Sequence, residues 1–225
     1  MQDDKDDLTS KRIALLEEWA EDPWAFLTAK DEDGEQIVWT KDEKDKIDPV
    51  KVWYDEPYLE EIIKVFHNEE SVMLDKSRQM IITTGSVQYA SWDCTFHYGR
   101  QWILSKNSEE QAAKILWDKV RFPWQQWPDW LRHHYPISMK PAKRVDYPKT
   151  GSSFLAAGEN IQDAIARGGT CSGVIVDEAA RQRHLEEIIT ACVSMTDKMF
   201  LITTAEMGNP GARLFFKLLE RKRRR

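Results

Sequence analysis

The chain has 225 residues and a mass of 26.3 kDa, which suits one large domain with a buried core and excludes a multi-domain machine. Hydrophobic residues make up 41% of the sequence and charged residues 31%, and this balance excludes wholesale disorder and fibrous repeats. No apolar run is long enough to cross a membrane and the acidic N-terminal segment does not resemble a signal peptide, so we expect an intracellular protein. Cys94, Cys171 and Cys192 form no CxxC pair, which predicts three buried thiols rather than a disulfide framework or a zinc site.

The net charge of −6 is distributed unevenly along the chain. Residues 1–75 contain 23 acidic and 9 basic side chains, a net charge of −14, which leaves a net charge of +8 for residues 76–225. A basic body of this kind is compatible with a polyanionic partner, although ordinary solvated surface explains such a split more often. We expect an acidic N-terminal extension or lid over residues 1–50, followed by a core over residues 51–225.

The first 70 residues contain two helical patterns separated by a polar stretch. Thr9 or Ser10 is a suitable N-cap for a helix through IALLEEW, where apolar residues recur at helical spacing. The polar stretch contains the turn signals DG and DP and a predicted short strand at Gln36–Trp39. The segment PYLEEIIKVFHNEE predicts an amphipathic helix, and its apolar face comprises Leu59, Ile62, Ile63 and Phe66.

From Ser71 onward, short apolar runs alternate with helical patterns. The predicted strands are SVMLDK, RQWILS, GVIVDE and KMFLITT. The segments RVDY and SSFLAA around the turn PKTG predict a β-hairpin or two adjacent strands. The predicted helices are TTGSVQYASWDCTFHYG, NSEEQAAKILWDKV with Asn107 or Ser108 as cap, HLEEIITACVSM and the basic ARLFFKLLERKRRR. The Trp- and Pro-rich segment PWQQWPDWLRHHYP is expected to be an irregular insertion. This alternation predicts an α/β fold with a mainly parallel sheet, whose strand ends meet along one edge.

Three of the predicted strands end in residues that can carry chemistry, namely in LDKSRQMIITT, VIVDEAAR and FLITTAEMGNPG. Each has an ordinary explanation when it is taken alone: an acidic pair suits a helix N-terminus, paired threonines suit a strand end, and KSRQ suits a solvated loop. Their order along the chain instead favours a nucleoside triphosphatase. Such an enzyme needs a strand, a phosphate-binding loop, a cation for the phosphates and a Ser or Thr that holds Mg²⁺.

The first of these segments supplies most of a phosphate-binding loop but not its usual motif. Lys76 and Arg78 are the cations, and Thr83 follows at the start of a predicted helix. No glycine is present in the loop, and Ile82 stands where GxxxxGK[ST] has its lysine. About a hundred residues later, the acidic pair after GVIV supplies a residue to hold magnesium through water and a residue to activate the attacking water.

At these positions the sequence resembles the ATPase domain of the large terminase subunit, the DNA-packaging motor of tailed bacteriophages. KSRQMIIT matches the deviant phosphate loop K-[SA]-R-Q-[LM]-x-x-[ST] of many members, while VIVDEAA and LITTAE match the second acidic strand and the coupling motif. The similarity covers about residues 50–220. Each motif by itself is only loosely diagnostic of the family, but the motifs together are specific for it. The resemblance implies a P-loop NTPase fold of the RecA-like (ASCE) type, with a mainly parallel sheet flanked by helices and an N-terminal helical or lid extension.

The resemblance also implies a role for each matching residue. The implied nucleotide-binding residues are Lys76, Ser77, Arg78, Gln79, Met80, Ile81, Ile82, Thr83 and Thr84. Thr83 and Asp177 are the implied Mg²⁺ ligands, and Glu178 is the implied catalytic base. Thr203 and Thr204 are implied to couple hydrolysis to movement. Ile81 and Ile82 depart from the Gly-Lys pair of many relatives. This departure bears on the rate of ATP hydrolysis more than on the location of the nucleotide-binding site.

Arginines and aromatic residues supply further candidates. Ring motors often complete one subunit's site with an arginine of its neighbour, and Arg167 in IARGG is our first choice because the adjacent glycines allow close approach. Arg78 can act within its own subunit. The other candidate arginines are Arg100, Arg144, Arg181 and Arg183. Trp53, Tyr54 and Tyr58 are candidates for stacking on adenine, although aromatics just before an amphipathic helix more often belong to the core.

The implied function is an ATP- and Mg²⁺-dependent motor that moves double-stranded DNA into a procapsid in the host cytoplasm. The implied partners are the portal protein and the small terminase subunit, with self-association into a ring and no membrane contact. DNA would be held through its phosphates, and the candidate contacts are Lys140, Lys143, Arg144, Lys149 and the basic tail.

Two alternatives to the motor function stay open, and the nuclease activity of large terminase subunits is not expected in this chain. The first alternative is a helicase fragment, although 225 residues leave no room for a second RecA-like domain. The second is a nucleotide-binding scaffold without turnover, which the missing loop glycines suggest. Large terminase subunits normally continue into an RNase H-like nuclease, and because the sequence ends at Arg225 we expect no DNA cleavage.

Overall fold

The computed structural model describes residues 2–32, 34–41, 45–77, 81–159, 161, 170–204, 208–209 and 211–223, with the backbone alone for residues 2–9 and 222–223. Its strands are β1 (Trp39–Lys41), β2 (Val50–Val52), β3 (Ser71–Lys76), β4 (Gln101–Ser105), β5 (Arg144–Tyr147), β6 (Ser152–Ala157), β7 (Gly173–Asp177) and β8 (Met199–Thr204). Its α-helices are α1 (Gln2–Glu21), α2 (Pro23–Leu27), α3 (Pro57–Asn68), α4 (Ile82–Phe96), α5 (Glu109–Leu116), α6 (Phe122–Gln126), α7 (Asp129–His134), α8 (Leu185–Val193) and α9 (Ala212–Arg223). No helix in the described ranges is both long and apolar enough to cross a lipid bilayer.

Six strands form one sheet in the order β3-β8-β7-β4-β6-β5. Neighbouring strands are parallel except for β5, which runs antiparallel to β6 and forms the predicted hairpin. Strands β1 and β2 form a separate antiparallel pair. Strand β8 lies between β3 and β7, so that Lys76 pairs with Thr204 and Asp177 pairs with Ile202. The predicted α/β class and mainly parallel sheet are confirmed.

The two faces of the sheet are buried by different helices. Successive side chains of a strand point to opposite faces, so Ile175 joins the core that contains α3 and α4, whereas Val174 and Val176 join the core that contains α8 and α9. Both faces are covered, which explains why β7 is buried along its whole length and is a continuous apolar run in the sequence. Helix α3 buries Leu59 and Phe66 of its predicted apolar face.

Several predicted boundaries are wrong. Helix α1 begins at Gln2, so Thr9 and Ser10 lie inside it rather than at its N-cap. Residues 2–8 contain neither Gly nor Pro, and extending an existing helix costs little compared with starting one. The strand predicted at Gln36–Trp39 instead begins at Trp39, because only residues 39–41 find a partner in β2.

The segment expected to be an irregular insertion contains two short helices, α6 and α7. Its prolines lie where a helix tolerates them: Pro123 is in the first turn of α6 and Pro128 is the N-cap of α7. Trp127 and Leu131 are buried and anchor this segment to the core. Of the three cysteines, Cys94 and Cys192 are buried as predicted, whereas Cys171 is only partly buried because it precedes β7 at the margin of the sheet.

Glycine is required at position 173, at the start of β7, because the ring of Trp102 leaves no space for a Cβ atom. Trp102, its partner on β4, is fully buried, and a Cβ atom at position 173 would lie 2.4 Å from two atoms of the Trp102 ring. We expect Gly173→Ala to lower the free energy of unfolding by about 2–3 kcal/mol, because the indole cannot move away in a packed core. Chemical denaturation measures this change. Gly208→Ala, where an added Cβ meets nothing within 4 Å, is the matched control and should change stability by less than about 0.5 kcal/mol.

Candidate active site

The carboxyl ends of β3, β8, β7 and β4 lie side by side and bring together residues far apart in the chain. Lys76 ends β3 and is partly buried, and the adjacent Ser77 is exposed. Thr204 ends β8 and Asp177 ends β7. Parallel strands put these residues at one edge, where ligands of open α/β sheets bind.

A hydrogen bond joins the helix after the first loop to the acidic strand. Thr83, in the first turn of α4, donates from its Oγ1 to Oδ1 of Asp177 at 2.9 Å. The two residues are 94 positions apart in the sequence, and Asp177 is only 4% exposed. The two residues predicted as Mg²⁺ ligands are therefore in direct contact. Thr84, next to Thr83, is buried.

Lys106, which sequence reasoning missed, completes this cluster. It follows β4 directly, and its Nζ lies 2.6 Å from Oδ2 of Asp177 and 3.2 Å from Oε1 of Glu178. Burial by itself would lower the pKa of Lys106, but the two carboxylates outweigh burial and raise the pKa above its ordinary value. The ammonium group is therefore charged. Its position after a strand of the parallel sheet is the signal that could have identified it.

Glu178 occupies a strained position between two cations. Its backbone has φ 54° and ψ 42°, a left-handed conformation that costs roughly 1–2 kcal/mol for a residue with a Cβ. This turn separates β7 from the 3-10 helix Ala179–Arg181. Arg181 Nη1 lies 3.3 Å from Glu178 Oε2, on the opposite oxygen from Lys106. Arg181, a candidate for acting on a neighbouring subunit, thus contacts the acidic pair of its own chain.

Ile81 also has a positive φ, of 50°, immediately before α4. An isoleucine is disfavoured there because its branched side chain crowds the backbone, whereas glycine adopts this conformation freely. The chain therefore makes a left-handed turn directly before α4 at a residue other than glycine. The preceding loop residues Arg78, Gln79 and Met80 lie outside the described residues, as does Arg167.

Thr203 connects β8 to the turn that follows β7. Its side chain is buried, and its Oγ1 accepts a hydrogen bond from the Ala180 amide at 3.2 Å. The same hydroxyl donates to the carbonyl oxygen of Thr204 at 3.3 Å. Thr203, one of the two predicted coupling residues, is thus in contact with the segment that carries Glu178.

The donors at this edge suit Mg²⁺. The hydroxyl of Thr83 and the carboxylate of Asp177 are hard oxygen ligands, and the Lys106 ammonium beside them marks a place where positive charge is favoured. Within the described part of the chain, no group of three or more His, Cys, Asp or Glu could enclose a metal. This is compatible with Mg²⁺, which keeps several waters and takes further ligands from phosphates.

The remaining candidates differ in their surroundings. Trp53 is 1% exposed and belongs to the core, so it is not available to stack on a base, whereas Tyr58 is 37% exposed. Among the basic residues considered for DNA, Lys143 forms an ion pair with Glu109 and Arg144 forms one with Asp146. Arg100 lies 3.4 Å from Asp93. Arg183 is exposed.

The Thr203 contact can be tested through stability. Thr203→Val keeps the size of the side chain but leaves the buried Ala180 amide without its acceptor, and we expect a loss of about 1–2 kcal/mol in the free energy of unfolding. Thr190→Val is the matched control, because the exposed Thr190 hydroxyl donates to the Glu186 carbonyl of its own helix. Equal stabilities of the two variants in chemical denaturation would contradict the contact.

Comparisons with solved structures show which fold this is. The large terminase of bacteriophage HK97 matches with a TM-score of 0.55 and 13% identity, over 77% of this chain and 38% of that one. The large terminase of the thermophilic bacteriophage D6E matches with a TM-score of 0.51 and 14% identity, over 75% of this chain and 43% of that one. A large terminase ATPase domain from a Thermus phage is 20% identical over 69% of this chain and 67% of that one, with a TM-score of 0.49.

Sequence comparisons add nothing to this: neither a protein-family model nor a curated protein gives a significant match. The chain spans about two fifths of the HK97 and D6E terminases. The structural likeness, together with the strand order, confirms the fold that the sequence resemblance implied. The chain has the P-loop NTPase fold of phage large terminase ATPase domains.

Proposed function

We propose that this chain is the ATP-hydrolysing motor domain of a phage DNA-packaging terminase and that it moves double-stranded DNA into a procapsid. The observation that carries the proposal is the hydrogen bond between Thr83 and Asp177, with Glu178 as the next residue. It joins the start of the helix after the KSRQ loop to an acidic strand end, which is the arrangement that a Mg²⁺-dependent phosphoryl-transfer site requires.

In this proposal the first loop binds the phosphates of ATP. Lys76 contacts the β- and γ-phosphates from the end of β3, and the cradle comprises Ser77, Arg78, Gln79, Met80, Ile81, Ile82, Thr83 and Thr84. Thr83 and Asp177 would hold Mg²⁺, which when bound neutralises negative charge on the phosphates. Because α4 begins at Ile82, its N-terminal amides also favour an anion at this edge.

Glu178 is the proposed general base. It orients the attacking water and accepts its proton. This role suits Glu178, which lies next to the proposed metal ligand Asp177 and is not itself a proposed metal ligand. Thr203 and Thr204 sense the state of the phosphates and pass it to β8, and the bond from the Ala180 amide to Thr203 provides the contact. Arg78 acts within its own subunit and Arg167 completes the site of a neighbour.

The proposed partners follow from the motor function. Double-stranded DNA is held through phosphates, since a packaging motor must move along any sequence, and the net charge of +8 over residues 76–225 favours such contacts. Lys140, Lys149 and the C-terminal basic tail are proposed contacts. The portal protein, the small terminase subunit and a ring of identical subunits on the procapsid complete the assembly, in the host cytoplasm.

Replacement of the proposed base should stop hydrolysis and spare binding. We expect Glu178→Gln to lower the rate of phosphate release at least about a hundredfold, because the amide cannot accept the proton, while a fluorescent ATP analogue binds as before. Glu187→Gln, which alters an exposed acid on α8, should keep the parent rate. A Glu178→Gln variant that hydrolyses ATP at the parent rate would remove Glu178 from this role.

The same assay separates the proposed motor from a scaffold. A parent chain that binds the analogue but releases no phosphate above the Glu178→Gln level, even with DNA and at high protein concentration, would favour a nucleotide-binding scaffold.

Replacement of the proposed phosphate-binding lysine should weaken binding itself. We expect Lys76→Ala to raise the dissociation constant of the Mg²⁺-bound ATP analogue at least about tenfold, since a charge-assisted contact to the phosphates is lost. Fluorescence anisotropy measures this constant. Lys64→Ala, which removes an exposed lysine paired with Glu60 on α3, is the matched control and should leave the constant unchanged.

A further inference from the structure

The side chain of Lys106 contacts both acids of the Asp177–Glu178 pair. Its Nζ is 2.6 Å from Oδ2 of Asp177 and 3.2 Å from Oε1 of Glu178, so one ammonium group bridges the proposed metal ligand and the proposed base. The lysine side chain is 15% exposed and that of Asp177 is 5% exposed. An ion pair so shielded from water is screened only weakly by salt.

From this contact we infer that Lys106 is a built-in counter-ion that keeps divalent cations out of the site until nucleotide arrives. The inference rests on the proposed function, because it assigns to Lys106 the control of the Mg²⁺ site formed by Thr83 and Asp177. A cation bound to Asp177 would lie within a few ångströms of the ammonium group, and the two like charges repel each other. Lys106 and a lone Mg²⁺ therefore compete for the same carboxylate.

The competition changes when phosphates are present. The phosphates bring several negative charges to the same edge of the sheet, so that the ammonium group and Mg²⁺ no longer depend on Asp177 alone for compensation. Lys106 can then leave Asp177 and Glu178, which releases the base from one of its two cations. Metal entry and release of Glu178 are thus coupled, and Lys106 acts as a positioning residue rather than a catalytic one.

Removal of the competing charge should let a metal bind without nucleotide. We expect Lys106→Met to bind Mn²⁺, the paramagnetic substitute for Mg²⁺, at a roughly tenfold lower concentration than the parent in nucleotide-free solution. The loss of the free Mn²⁺ signal in electron paramagnetic resonance measures binding directly, without any turnover. Lys106→Arg keeps the charge and should bind Mn²⁺ as the parent does. Lys64→Met removes a lysine from an exposed ion pair and should also match the parent.

A folded Lys106→Met variant that binds Mn²⁺ no more tightly than the parent would overturn the inference. A measurement on the parent chain tests it even if this variant does not fold: Mg²⁺ alone should leave the thermal unfolding midpoint unchanged, whereas Mg²⁺ with ADP should raise it. Mg²⁺ alone raising the midpoint as much as Mg²⁺ with ADP would contradict the role of Lys106.

The outcome for Lys106 is separate from that for the proposed function. A parent chain without affinity for ATP or ADP would count against the motor proposal, and the Mn²⁺ comparison between parent and Lys106→Met would still decide the competition. Conversely, equal Mn²⁺ binding by both chains, together with a Glu178→Gln variant that binds ATP and does not hydrolyse it, would refute the Lys106 inference and leave the motor proposal intact.

Discussion

The buried carboxylate of Asp177 is the interaction on which the site depends. One of its oxygens accepts from Thr83 and the other from Lys106, while its backbone carbonyl accepts from the Gln182 side chain at 3.2 Å. A buried charge without partners is strongly destabilising, so these partners stabilise the folded state. This one residue therefore fixes the start of α4, the end of β4 and the turn after β7 relative to each other.

Two residues with strained backbones adjoin or belong to this network. Ile81 and Glu178 both adopt left-handed backbone conformations, each at a cost of roughly 1–2 kcal/mol. Such strain persists only where the surrounding structure holds the backbone, and both residues adjoin well-packed segments. Ile82 is buried at the start of α4, and Ala179 and Ala180 are buried after Glu178. Packing of these buried apolar side chains thus maintains the conformation of the residues proposed to act on the nucleotide.

The acidic N-terminal region is packed against the same helix that carries Thr83. Trp92 of α4 donates from its indole nitrogen to the carbonyl of Trp19 at 2.6 Å, and Phe26 of α2 lies edge-on to Phe96 at the end of α4. Aromatic pairs of this kind contribute beyond their buried area. No motif in the sequence assigns chemistry to this region, but in the structure the region contacts α4, the helix that contains Thr83.

The sequence by itself determined most local elements of the parallel sheet and the identity of the acidic, lysine and threonine residues at three strand ends. Strands β3, β4, β7 and β8 and helix α3 were predicted because apolar periodicity and turn residues are local properties. The tertiary structure alone decided the order of the strands, the bond between Thr83 and Asp177 and the presence of Lys106 beside both acids. The bond between Thr83 and Asp177 alone spans 94 positions of the sequence, and such contacts arise from packing, which no local pattern records. The strain at Ile81 and Glu178 has the same origin, since local preference argues against it and only the surrounding fold imposes it.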